Sequence, residues 1–165
     1  MSEAVSEEKN VLGGPLQACS FAPLTGYFRD GSCATHGEPG VAHLVCIKAT
    51  AEFLEFSRSR GNDLSTPRPE MRFRGLHPGD RWCLHALRWL EAWKAGMAPQ
   101  VVLEATNAKV LEVVPLEALK QHALDLHKVF GKVLRNDSRV ASRSARRASF
   151  GCAERQSKSF STWSR

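Results

Sequence analysis

A chain of 165 residues, 42% hydrophobic and 24% charged, is of a size to bury one core, and two independent domains would each be short of apolar surface. No apolar run approaches the roughly 18 residues a membrane helix needs, and the opening MSEAVSEEKN has the make-up of neither a secretory signal nor a transit peptide, so a soluble cytoplasmic protein with no membrane partner is expected. The net charge of +6 is local: residues 136–165 hold seven Lys and Arg against Asp137 and Glu154, which leaves the remainder nearly neutral and confines any weak nucleic-acid binding to the tail.

In chain order, residues 1–9 are polar and expected to be frayed, with nothing to bury against the entropy of ordering. A single globular domain is expected over 10–130. Its first part, to residue 40, is rich in Gly and Pro and carries the turn signals Thr25-Gly26, Asp30-Gly31 and Pro39-Gly40, so it reads as loops with a short strand at Tyr27-Phe28. His43 to Ala49 is a short apolar run and predicts a buried strand. Thr50 then caps a helix over 51–60, and Gly61 ends it. Residues 61–79 contain three prolines and three glycines and cannot form a long regular element. A loop of that length in a compact domain is more often functional than accidental.

Asp80 is the expected N-cap of a helix from Arg81 to Ala95, because Trp82, Ala86, Trp89 and Trp93 fall on one stripe at ~100° per residue. Gln100–Ala105 and Val110–Val114 read as two strands of a hairpin joined by Thr106-Asn107-Ala108-Lys109. Pro115 opens a last helix that runs to about His127. The outcome is an α+β domain, a short three-stranded sheet packed against two to three helices with extensive ordered loops. Residues 136–165, with eight serines and seven basic residues, lack the apolar surface to fold alone and form a disordered tail. Within it, Arg146-Arg147-Ala148-Ser149 has the form of a basophilic-kinase acceptor site.

The blocks Asn10-Val-Leu-Gly, Thr25-Gly-Tyr-Phe-Arg-Asp-Gly31, Gly61-Asn-Asp-Leu-Ser-Thr-Pro67, Gly75-Leu-His-Pro-Gly-Asp-Arg-Trp-Cys83 and Val102-Leu-Glu-Ala-Thr106, in that order, resemble the domain-of-unknown-function 2237 family over residues 10–123. The resemblance implies no activity. The family usually shows a second cysteine where this chain has His85, and a histidine is common where it has Asn107.

Three constellations could carry chemistry. Cys19, Cys33, Cys46, Cys83 and Cys152 are odd in number and contain no Cys-x-x-Cys pair, so reduced thiols are expected. Cys19, Cys33, Cys46 and Cys83 with His36, His43 and His85 invite a zinc site, although His43 and Cys46 fall on opposite faces of a strand and Cys83 and His85 lie ~200° apart on a helix. Cys19, Cys33 and Cys46 remain as a set that could hold zinc, against the ordinary use of cysteine as a small core residue; no other cofactor is indicated. Cys83 in the first turn of a helix would also be a candidate nucleophile, against packing within the Trp82/Leu87/Leu90 face. The third constellation is polar: Arg29, Asp30, Asn62, Asp63, Ser65, Thr66, Asp80 and Arg81 would form an anion pocket if their loops converge, with Asp63 as base or orienting acceptor. The same residue types also serve turns and caps. The leading functional expectation is therefore binding of, or action on, a small anionic ligand; the alternatives are a noncatalytic interaction or regulatory module, for which a homodimer is one form, and a metal-binding or reactive-thiol domain.

Overall fold

His43–Lys48 forms the central strand β1, with Val45, Cys46 and Ile47 fully buried, which is why its sequence is an unbroken apolar run and not an alternation. In the computed structural model, which describes residues 8–127, β1 is flanked on both sides by antiparallel neighbours, β2 (Arg81–His85) and the short β3 (Gln100–Val101), in the order β2-β1-β3. The register pairs His43 with His85, Cys46 with Cys83 and Ile47 with Trp82, with an irregularity between His43 and Val45. The fold is α+β, a three-stranded antiparallel sheet with three helices. The tail, including the Arg146–Ser149 motif, lies outside the described residues.

Helix α1 (Ala51–Ser59) follows β1 after Ala49 and Thr50. Thr50 caps it as expected, its Oγ1 accepting from the Phe53 N–H at 3.2 Å, and Gly61 leaves it at φ 80°. Helix α2 (Ala86–Lys94) buries Ala86, Trp89 and Ala92, and the Trp89 indole N–H donates to the Pro99 carbonyl. Together with Val45, Ile47, Phe53, Leu54 and Leu84 these residues make the main apolar core. Helix α3 (Leu116–Gln121) closes it with Ala118 and Leu119, and is shorter than the predicted run to His127.

Three predicted elements are corrected, two of them after residue 80. Residues 81–85 are strand and not the first turns of a helix, so Asp80 caps no helix; Trp82, Cys83 and Leu84 are buried on both faces of β2, where a continuous apolar run fits strand and helix alike. The hairpin over 100–114 does not form either. Beyond β3 the chain makes two 3₁₀ turns, Leu103–Ala105 and Ala108–Glu112. The first two residues assigned to the hairpin turn are buried instead: Thr106 Oγ1 accepts from the Cys46 N–H and donates to the Val102 carbonyl, while the Asn107 N–H reaches the Leu44 carbonyl. Asp125 caps the first 3₁₀ turn by accepting from the Leu103 and Glu104 N–H groups.

Residues 11–42 contain no helix and no ladder strand; Tyr27-Phe28, predicted as a strand, is a turn with both rings exposed. Two disulfides hold this region on the sheet, Cys19–Cys46 and Cys33–Cys83. Because Cys46 and Cys83 are cross-strand partners, the two bonds stand side by side and, with Val102 and Ala105, form a second small core. The expectation of reduced thiols is overturned for these four residues, and with it the support that cysteine usage lent to a cytoplasmic placement. Of the start expected to be frayed, residues 1–7 lie outside the described residues, while Glu8 is hydrogen-bonded and Lys9 bridges to Pro15. No helix among the described residues is long and apolar enough to cross a membrane.

Candidate functional site

Loop 61–67 and loop 24–31 come together beside the edge strand β2. Loop 61–67 is pinned from behind: the Leu76 N–H donates to the Leu64 carbonyl, and a Cβ on Gly75 would stand 2.2 Å from the Ser65 carbonyl oxygen, so only glycine fits there. Between the loops and the strand lie two hollows of about 490 and 290 Å³ that share Asn62, Leu64 and Trp82. The larger is walled by His43, His85 and Arg88, the smaller by Arg29, Asp63 and Arg68. Trp82 is the common floor, and the Arg29 guanidinium lies 5.1 Å above its ring.

Three of the eight residues singled out in the sequence line these hollows. Arg29, at φ 57°, also donates to the Leu24 carbonyl. Asn62 is held by its Nδ2 donating to Ser57 Oγ at 3.1 Å. Asp63 accepts from the Ser65 and Thr66 N–H groups and from Thr66 Oγ1, and these bonds, led by the Thr66 hydroxyl, lower its pKa to about 2. Such a carboxylate is a poor proton acceptor at neutral pH, and Ser65 and Thr66 are spent on the same turn. Asp30 faces elsewhere, accepting from the Ser32 N–H and bonding His36 Nε2 at 2.6 Å. Asp80 accepts from Arg74 and from the His77 N–H, and Arg81 is exposed on β2 opposite Lys48; neither lines the hollows.

The sulfur-bearing candidates are drawn together but not as ligands. The Sγ atoms of Cys19, Cys33 and Cys46 lie within 4.8 Å of one another, yet each is bonded, Cys19 to Cys46 and Cys33 to Cys83. A disulfide sulfur offers no thiolate to zinc or to a substrate, so in this state the set holds no zinc and Cys83 is no nucleophile. Its placement at a helix start fails with the helix itself.

The groove adds residues that the polar constellation left out. His43 and His85 face each other across β1 and β2 with perpendicular rings 5.5 Å apart, and Tyr27 lies 5.8 Å from His43. Burial, then the neighbouring His85 and Arg29, lower the His43 pKa; burial and Arg88 lower that of His85. Both rings are therefore neutral at neutral pH. The Nδ1 of His85 accepts from the Leu87 N–H, capping α2, which puts its proton on Nε2. His43 Nδ1 is buried with no hydrogen-bond partner. Had 81–85 been read as a strand antiparallel to 43–48, the two histidines would have been paired from the sequence.

Against families of known sequence, residues 9–123 match the one described as an uncharacterized protein conserved in bacteria, the domain of unknown function 2237. The chain belongs to this family. Both hollows, the four disulfide cysteines and the two histidines all fall inside the family segment. No curated protein matches the chain.

Proposed function

We propose that the protein binds a small organic anion with a planar or apolar body in the groove over Trp82. The anionic group is held by Arg29 with Arg68 or Arg88, the body lies against Trp82, Leu64 and Leu84, and His43 supplies a neutral ring nitrogen. The observation that carries this reading is the Arg29 guanidinium standing 5.1 Å over the Trp82 ring in a hollow that Arg68 also lines. The separate roles of Asp30, Ser65, Thr66, Asp80 and Arg81 as loop and strand residues narrow the polar set to Arg29, Asn62 and Asp63.

Titration with benzoate, followed by two-dimensional NMR of the labelled protein, tests this. The Trp82 indole and the His43 and His85 amides should shift together, and Arg29→Ala should weaken the response about tenfold, the scale of losing one charge-assisted contact. Shifts that bypass the groove, or that survive Arg29→Ala undiminished, would remove the reading. A second reading is a noncatalytic interaction module: Phe21 is 68% and Tyr27 57% exposed, and this apolar turn borders the groove through Tyr27. Benzoate silence combined with self-association lost in Tyr27→Ser would favour it.

A further inference from the structure

A second oxyanion receptor lies on the other side of His85, and it is already filled by the chain's own carboxylate. Glu8 accepts from the Thr35 N–H at 2.9 Å, from the His36 N–H at 2.6 Å, from the Thr35 hydroxyl and from Asn107 Nδ2. Two successive backbone N–H groups aimed at one anion make a concave nest, and here they are joined by a side-chain amide. The donors are built in. Thr35 and Asn107 are each 1% exposed, and Asn107 is oriented by accepting the Lys109 N–H on Oδ1 and by donating to the Cys33 carbonyl. The Lys109 ammonium reaches Thr35 Oγ1 at 2.6 Å and brings the positive charge. Burial alone would raise the Glu8 pKa, but the bonds from Asn107, His36 and Thr35 together outweigh it and hold the carboxyl below its ordinary range.

Thr35 and Lys109 also border a third hollow of about 420 Å³, whose wall includes Leu44, Val41 and Leu87. Every donor of the cradle lies within the family segment 9–123, whereas Glu8 lies just before it. We propose that this cradle is a binding site for an aliphatic monocarboxylate, whose head would take the place of Glu8 while its body lies in the adjoining hollow, and that the Glu8 carboxylate is a tethered competitor for it. One ammonium among neutral donors balances a single negative charge. A phosphate dianion would find too little, all the more because Glu38 and Glu112 line the same hollow.

A tethered carboxylate acts at an effective concentration on the order of millimolar, so free ligand must compete with it. In the full chain, Glu8→Ala should therefore raise the apparent affinity for butyrate about tenfold or more, read by NMR at the Thr35 and His36 amides. Adding Asn107→Ala should abolish the gain, and inorganic phosphate should bind more weakly than butyrate. Glu8→Gln, which keeps an acceptor for Thr35 and His36, covers the case in which Glu8→Ala does not fold, and it should show the same direction of change. Butyrate binding unchanged from the parent chain in whichever variant folds, or a preference for phosphate, would overturn the proposal and leave Glu8 as a structural tie. The Trp82 indole reports the other groove, so the two sites succeed or fail separately.

Discussion

Residues 11–42 and residues 43–94 are held in place by different physics. The second stretch carries most of the main apolar core, with Trp89, Phe53, Ile47 and Val45 fully enclosed, and outside the loop at 61–79 its backbone groups are paired mainly in strands and helices. The first has almost no regular structure, and its backbone bonds are scattered: some are local, such as Gly31 N–H to the Thr25 carbonyl, and a few reach far along the chain, from the Val11 and Gln17 N–H groups to the Thr106 and Glu104 carbonyls. It is fixed to the sheet by two covalent bonds and by buried polar residues, Thr25 and Thr35 among them. The contrast teaches that an irregular stretch can shape one wall of a groove without contributing much apolar burial, provided that its unfolded alternatives are restricted by cross-links.

The comparison is broken most forcefully from the helical side. Trp89→Ala should cost about 3–5 kcal/mol and lower the denaturation midpoint of the whole domain. Cys33→Ser, which opens the bond to Cys83, should cost about 2–4 kcal/mol, and its signature should be regional. Amide exchange should rise at Cys19 and Gly31 while the amides pairing β1 with β2 stay protected; uniform loss of protection would show that the two regions are one cooperative unit.

Asn107→Ala is the sharper intermediate test, because this side chain bonds both the Cys33 carbonyl of the looped region and Glu8. The loss should be about 1–3 kcal/mol, smaller than that of Trp89→Ala by chemical denaturation.

Acid gives the smallest and most graded effect. His43 and His85 titrate lower in the folded chain than in the unfolded one, so below the ordinary histidine value of about 6.5 the unfolded chain binds more protons and stability falls as pH drops. The fall levels once the pH is under the folded values. A second decline follows below about pH 4.5, as Glu8, Asp30 and Asp63, whose folded pKa values are also lowered, become protonated. Urea midpoints measured from pH 8 to pH 3 should show both steps, and His43→Gln should shrink the first alone.

Much of the regular structure could be read from the chain where local signals agreed. The strand at His43, the Thr50 cap and the Gly61 exit needed only an apolar run and the turn chemistry around it. Arg81–His85 defeated the same reading because its stripe of Trp82, Ala86 and Trp89 matches helical spacing, and only pairing with β1 turns the first five residues into a strand. Thr106 and Asn107 look like turn residues, yet their polar groups satisfy the backbone of β1 and the looped region. The candidate site was readable in part: Arg29, Asn62 and Asp63 do line one hollow, whereas Asp80 and Arg81 were carried off with the misassigned helix start. Disulfide pairing over 27 and 50 residues leaves no local trace, and a histidine pair across two strands becomes visible only with the register.

The passage from β2 to α2 has no connecting residue: His85 ends the strand and Ala86 begins the helix. A joint of that kind has no slack, so the rotational setting of the helix is inherited from the pleat of the strand. One residue added there would turn α2 by about 100°, swing Trp89 off the Pro99 carbonyl and lift the His85 imidazole, shared by the 490 and 420 Å³ hollows, out of its seat. The same rigidity means that a guest pressing on His85 from either side would push on the helix directly.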